Sequence, residues 1–151
     1  MREILFRGKR FDSGEWVYGT MYKIAIDLNP FILTGGKRGC SYQVDGETVG
    51  QYTGLIDKNG VKIFEGDIVD LFGMKGKVVQ ECGAFGIAFM KTIDYDLLES
   101  KMPFNNSANF CFNDNFISLW EVFWNYEQGD NTLYYVEVIG NANGNPELLE
   151  K

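Results

Sequence analysis

The stretch ETVGQYTGLIDKNGVKIFEGDIVDL, residues 47–71, constrains the fold more than any other part of this chain. Asp57-Lys58-Asn59-Gly60 stands in it between two apolar runs. Asn and Gly tolerate positive φ, so the spacing predicts a β-hairpin, with either a type I′ turn at Asn59-Gly60 or a type I turn with Gly60 alone in the left-handed region. Glu65-Gly66-Asp67 then interrupts the apolar pattern before Ile68-Val69-Asp70-Leu71, which places a second tight turn and a third strand. Three short strands in so little chain point to a small β-barrel or roll.

Aromatic residues make up 15% of the 151 residues, and 18 glycines punctuate the chain, which favours many short strands over long helices. A chain of this length buries a core without staples. No apolar run is long enough to span a bilayer, and Met1–Arg10 lacks the apolar stretch of a secretory signal, so a cytoplasmic location is expected. Cys40, Cys82 and Cys111 are odd in number and carry no C-x-x-C spacing, which reads as buried or half-buried reduced thiols and not as a disulfide or zinc framework.

Charge is unevenly spread. Residues 1–50 hold seven Lys/Arg against six Asp/Glu, residues 51–100 five against eight, and residues 101–151 two against seven. Such a chain repels phosphate over most of its surface, so nucleic acid is an unfavoured partner. The local exception is Arg2, Arg7, Lys9 and Arg10, interleaved with Phe6 and Phe11. This cluster offers an alternative function as a nucleic-acid-binding accessory protein, set against solvated charges at a strand end.

In chain order, Glu3–Arg7 and Glu15–Tyr22 read as a hairpin turning at Asp12-Ser13-Gly14, with Phe31–Thr34 and Ser41–Val44 as further strands. After the central block come a turn at Gly73–Gly76 and strands at Lys77–Glu81 and Gly83–Met90. Asp94–Lys101 reads as two helical turns or a loop, within a variable insertion over residues 91–115. Ser118-Leu119-Trp120-Glu121 has the form of a capping box, predicting a helix to about Glu127 with Ile117, Trp120, Phe123 and Trp124 on one face. Thr132–Ile139 predicts a strand buried largely on both faces. Two modules follow, an N-terminal hairpin segment over 1–46 and an SH3-like barrel or roll over 47–151, in an all-β or β-dominated protein.

The central motif closely resembles the YopX family of phage and prophage proteins, through ETVGQYTGL, then DKNG, then an aromatic followed by EGDIV. Arg2-Glu3-Ile4-Leu5-Phe6-Arg7 resembles the family's opening R-E-I-K-F-R, with Leu5 in place of a basic residue. Val138-Ile139-Gly140-Asn141 and Asn145-Pro146-Glu147-Leu148-Leu149 resemble its ending, which departs at Ala142-Asn143-Gly144, where relatives carry apolar, aromatic and acidic residues. The resemblance supports the SH3-like assignment and implies structural roles for Tyr52, Gly54, Asn59, Gly60, Glu65, Gly66, Asp67, Gly140, Asn141 and Pro146. It implies no chemistry, because the family has no established biochemical activity.

The chain has no histidine, which removes the commonest general base and transition-metal ligand. Phosphate-loop, dinucleotide and nucleophile-elbow motifs are absent. Glu65, Asp67 and Asp70 are the remaining catalytic candidates, as oxygen ligands of a metal-dependent hydrolase. Asp67 and Asp70 fall on opposite faces of a strand, and turn hydrogen bonding accounts for Glu65 and Asp67 equally well. No catalytic residue, metal or cofactor is therefore expected. Aromatics exceed what a small core holds, with Trp120 and Trp124 as candidate interface residues. The leading expectation is a non-catalytic protein-interaction module of phage or prophage origin, homo-oligomeric, acting on a host or phage protein.

Overall fold

The computed structural model describes residues 3–35, 39–81, 83–101, 115–120, 122 and 131–150. It is strand-dominated, with two antiparallel sheets. The chain divides into two compact units, Met1–Gly54 and Leu55–Lys151.

In the first unit, β1 (Phe6–Lys9), β2 (Trp16–Tyr22), β3 (Phe31–Leu33), β4 (Ser41–Gln43) and the start of β5 (Gly50–Ile56) lie in the order β4-β3-β2-β1-β5. The predicted hairpin is present: β1 pairs β2 from Phe6↔Gly19 to Lys9↔Trp16, and Gly14 takes φ +71° at its tip. The first strand starts later than expected, at Phe6. Ile32, Val44 and Tyr52 are buried here, whereas Cys40, expected to be at least half-buried, is exposed in the short connection that leads into β4. A 3-10 turn at Gly46–Thr48, capped by the Asp45 carboxylate accepting from Glu47 N–H, leads into β5.

In the second unit, β6 (Lys62–Phe64) follows β5 across the DKNG turn and completes the first sheet's order beyond it. β7 (Asp67–Leu71), β8 (Met74–Glu81), β9 (Ala84–Phe89) and β10 (Phe116–Ser118) form a meander, and β11 (Val136–Asn141) returns beside β7, giving the order β10-β9-β8-β7-β11. Ile63, Val69, Leu71, Val78, Ile87 and Leu133 are fully buried in one cluster, to which α1 (Tyr95–Lys101) adds Leu98. Alternation along the strands brings these side chains to a common face.

The expected barrel over 47–151 is corrected: among the described residues neither sheet closes on itself. The reason lies in β5, whose start pairs with β1 through Phe6↔Gln51 and Arg7↔Gly50, so the first arm of the central hairpin joins the N-terminal sheet.

Three local expectations change. The turn placed at Gly73–Gly76 is Phe72-Gly73, with φ +55° and +90°, and β8 already begins at Met74. Ser118 ends β10, which pairs with β9, and helical backbone begins at Leu119, where a cap at Ser118 places it; Ile117 belongs to the strand and Trp120 is 62% exposed, while Phe123, Trp124 and the rest of the predicted helix beyond Val122 lie outside the described residues. The strand predicted over Thr132–Ile139 begins only at Val136. Ahead of it, Leu133 N–H donates to Ile56 carbonyl and Val136 N–H to Leu133 carbonyl, a turn that leaves Tyr134 and Tyr135 exposed, and β11 itself is mostly half-buried. The insertion expected over 91–115 contains α1, and residues 102–114 lie outside the described residues.

Candidate functional site

The residues of the central motif converge on the backbone, beginning with Asp57. Gly60 N–H donates to Asp57 carbonyl at 3.0 Å and Asp57 N–H to Val61 carbonyl at 2.8 Å. Gly60 has φ +82° while Asn59 stays at negative φ, so the hairpin uses a type I turn followed by a left-handed glycine, the second of the two predicted geometries. The Asp57 carboxylate is fully buried. Its Oδ1 accepts from Asn59 N–H at 2.8 Å and Val61 N–H at 2.9 Å, and its Oδ2 accepts from Val138 N–H of β11 at 2.9 Å. A single side chain thus closes the turn and ties it to a strand 81 residues away in sequence. Lys58 adds a backbone bond to Val136 and an ion pair with Glu137 at 3.0 Å, exposed and hence of small energetic weight.

The second turn follows the same logic. Asp67 is 2% exposed, and its Oδ2 accepts from Phe64 N–H at 2.7 Å across the Glu65-Gly66 turn, where Gly66 has φ +94°. Gly66 N–H donates to Val78 carbonyl and its own carbonyl accepts from Ala142 N–H, so this turn too is tied to the end of β11. Glu65 is half-buried beside it. At the tail, Asn141 Oδ1 accepts from Asn143 and Gly144 N–H, and Asn145 Oδ1 from Asn141 N–H. Pro146 opens a 3-10 turn, Pro146–Leu149. A Cβ at Gly140 would meet Asn145 Oδ1 at 2.7 Å and Leu148 Cδ1 at 2.8 Å, so a larger residue there would have to displace the Asn145 and Leu148 side chains of this turn. Tyr52 is buried in β5, and Gly54, with φ +90°, is half-buried beside it.

The carboxylates Glu65, Asp67 and Asp70 are not gathered into a metal set. Asp67 faces the turn, while Asp70 Oδ1 accepts from Gly73 N–H at 3.0 Å at the other end of β7. Among the described residues no group of three metal-ligating side chains occurs.

The basic cluster is split by the strand. Arg7 and Lys9 share a face of β1, their cations lying 4.7 and 5.5 Å from the centre of the Trp16 ring. Arg10 faces the other way, over Tyr42 at 4.1 Å, and its guanidinium donates to both oxygens of Asp12, at 2.8 and 2.5 Å. That hydrogen bond is the main cause of a raised Arg10 pKa and a lowered Asp12 pKa. Phe11 is exposed in the turn, and Arg2 lies outside the described residues, as does Trp124.

The sheet register assembles a broader face that sequence reading missed. Arg7↔Tyr18, Lys9↔Trp16, Thr20↔Leu33, Tyr22↔Phe31 and Phe31↔Gln43 place all these side chains on one side, because directly opposed residues share a face. Tyr18, Tyr22 and Leu33 are 46%, 38% and 42% exposed, and Tyr22 stacks on Phe31 at 5.4 Å. None of the paired residues on this side is Asp or Glu. Beyond it, the connection from β2 to β3 exposes Ile24, Ile26 and Leu28. The signal was available in the alternation Trp16, Tyr18, Thr20, Tyr22, which puts the large aromatics of β2 on one face. Reading it required the strand register, which adds Phe31 and Leu33 to the same face.

No curated protein matches this chain. Among solved structures, the crystal structure of protein EF1440 from Enterococcus faecalis is similar at 21% identity and a TM-score of 0.45, covering 99% of each chain. The model of the YopX protein family matches residues 5–150, from just before β1 to just past the closing 3-10 turn, and this chain therefore belongs to the YopX family.

Proposed function

We propose that this protein is a non-catalytic protein-interaction module of phage or prophage origin, acting in the bacterial cytoplasm on a host or phage protein. One observation carries this reading: the face of β1–β3 on which Trp16, Tyr18, Tyr22, Phe31 and Leu33 lie together with no Asp or Glu at the paired positions. Aromatic side chains lose little rotamer entropy on binding and are enriched at protein interfaces. The buried motif carboxylates Asp57 and Asp67 support the same reading, since both accept backbone N–H groups and serve the fold. The strand order β10-β9-β8-β7-β11 is a meander whose last strand returns to its first, and we take the second unit as an open variant of an SH3-like roll. Self-association through the aromatic face is part of the proposal.

A photoreactive amino acid placed at the exposed Thr20, in cells carrying the phage or prophage, tests the reading. It should yield an ultraviolet-dependent adduct with one protein, or with a second copy, and the same group at the exposed Asn59 should not. Adducts with nucleic acid alone would replace this reading by the nucleic-acid alternative. The absence of any adduct at Thr20 would refute it.

A further inference from the structure

We infer that the hollow between the start of β8 and the end of β9 is a second docking site, in the other unit, and that it takes an acidic peptide segment bearing one large apolar side chain. The hollow measures about 250 Å³, with Met74, Phe89 and Met90 among its apolar lining residues and Lys75, Lys91 and Thr92 among its polar ones. That is below the usual range of small-molecule sites, about 300–1,000 Å³, and suits a single anchoring side chain. Thioether side chains adapt to varied apolar shapes. Phe89 is 4% exposed and Met90 39%, so the aromatic is set deep and one methionine is open to solvent.

Charge names the partner. The unit holds seven Lys/Arg against fifteen Asp/Glu, so its cations have abundant carboxylates at hand. Yet Lys75 and Lys91 are exposed, and neither forms an ion pair with a described residue. Nearby carboxylates are engaged with backbone: Asp70, opposite Lys75 in the ladder, accepts from Gly73 N–H, and Asp94 accepts from Leu97 N–H. Two cations beside an apolar hollow complement a segment in which carboxylates flank an apolar residue.

The rim is also held in place before any ligand arrives. Met90 N–H donates to Lys75 carbonyl at 3.0 Å, which joins the two lysine-bearing segments directly. The adjoining turn keeps Phe72 at φ +55°, a strained value for an aromatic residue, with its ring against Tyr135 at 5.2 Å. A fixed rim lowers the ordering cost of binding.

The test uses the full-length protein and a fluorescein-labelled peptide with one leucine flanked by glutamates, read by fluorescence anisotropy and by the methyl resonances of the methionines. Saturable binding should shift Met74 and Met90 and leave Met21 of the first unit unmoved. Lys75→Glu with Lys91→Glu should weaken binding by about tenfold or more without lowering Tm, since both residues are exposed. A peptide with glutamine for glutamate should lose most of its affinity, and Met90→Ser should weaken binding at every salt concentration. Three results would each overturn the proposal: no binding at millimolar peptide, binding indifferent to the lysine reversals, or inorganic polyphosphate shifting the same methyls as strongly as the peptide. Because the site lies outside the β1–β3 face, it stands or falls separately from the interaction proposed there.

Discussion

Met1–Gly54 carries seven Lys/Arg against six Asp/Glu, whereas Leu55–Lys151 carries seven against fifteen. Among the described residues, Ile4, Phe11, Tyr18, Tyr22, Ile24, Ile26, Leu28 and Leu33 are exposed in the first unit and Val61, Met90, Trp120, Tyr134 and Tyr135 in the second, which also holds the large buried cluster around Val69, Val78, Ile87 and Leu133. Burial at roughly 25 cal/mol per Å² is the main favourable term in folding, so the buried cluster makes the second unit the main source of stability among the described residues. The buried carboxylates follow the same division. Asp57 and Asp67 clamp backbone in the second unit; Asp45 in the first caps a half-exposed 3-10 turn. In this comparison the acidic unit carries the larger described core, and the near-neutral unit carries the exposed aromatic face to which the proposed interaction is assigned.

The largest expected effect comes from Asp57→Asn. It leaves a donor amide near the N–H groups that the buried carboxylate now satisfies, and should destabilise the fold by about 2–4 kcal/mol. Hydrogen exchange localises the loss. Protection should fall in β6, β7 and β11 more than in β1–β4. A uniform fall across both units would break the comparison, because the two would then unfold as one cooperative body.

Gly60→Val should cost roughly 1–3 kcal/mol, the range for a strained backbone. Nothing lies within 4 Å of a Cβ built there, so the cost is conformational and not a clash. Glu65→Gln keeps the size of a half-buried side chain and should change stability by no more than about 1 kcal/mol. A thermal melt of each checks both figures. A stable Glu65→Gln protein that had lost its biological effect would identify that carboxylate as an active group.

Tyr18→Ala and Thr20→Glu alter exposed positions of the first unit and should shift stability by only about 0.5 kcal/mol. Both should abolish partner binding or self-association, read by light scattering for each and, for Tyr18→Ala, also by the Thr20 adduct described above. Unchanged binding in both variants would mean that the aromatic face of β1–β3 has no partner, and the contrast between the two units would lose its second half.

How legible this was in the sequence depended on the range of the interaction. Asn59-Gly60 and Glu65-Gly66-Asp67 announce their turns because the determinants are local: positive φ and a side chain bonding a few residues away. Asp57 looked like an ordinary turn residue, since its bond to Val138 depends on which strand returns beside β7. The barrel was expected because strands 47–71 read as consecutive neighbours, but β1 takes the start of β5, a pairing no local pattern encodes. Tyr134 and Tyr135 have strong strand propensity and still fall in a turn, where the ties to Ile56 outweigh propensity. The aromatic face was half visible: alternation puts Trp16, Tyr18 and Tyr22 together, but only register adds Phe31 and Leu33.

The smallest expected effect concerns the basic cluster and the acid end of the pH range. Asp12 hydrogen-bonds the Arg10 guanidinium, which lowers its pKa below the ordinary 3.8, and both groups are on the surface. A depressed folded-state pKa means that the unfolded chain binds the proton first as pH falls. The pair's contribution is therefore present above the ordinary value and lost as pH drops through the folded one. Solvent screening keeps that contribution small, so Asp12→Asn should leave Tm almost unchanged near neutrality and remove a slight acid dependence below about pH 4. A carboxyl-carbon titration followed by NMR measures the same thing directly: the Asp12 midpoint should lie below 3.8 and return to the ordinary range in Arg10→Gln. A midpoint at or above 3.8 in the unaltered protein would show that Arg10 is not held by Asp12 in solution. Arg10 would then be available to an anionic partner, and the first unit would be more basic in effect than its balance of charges suggests.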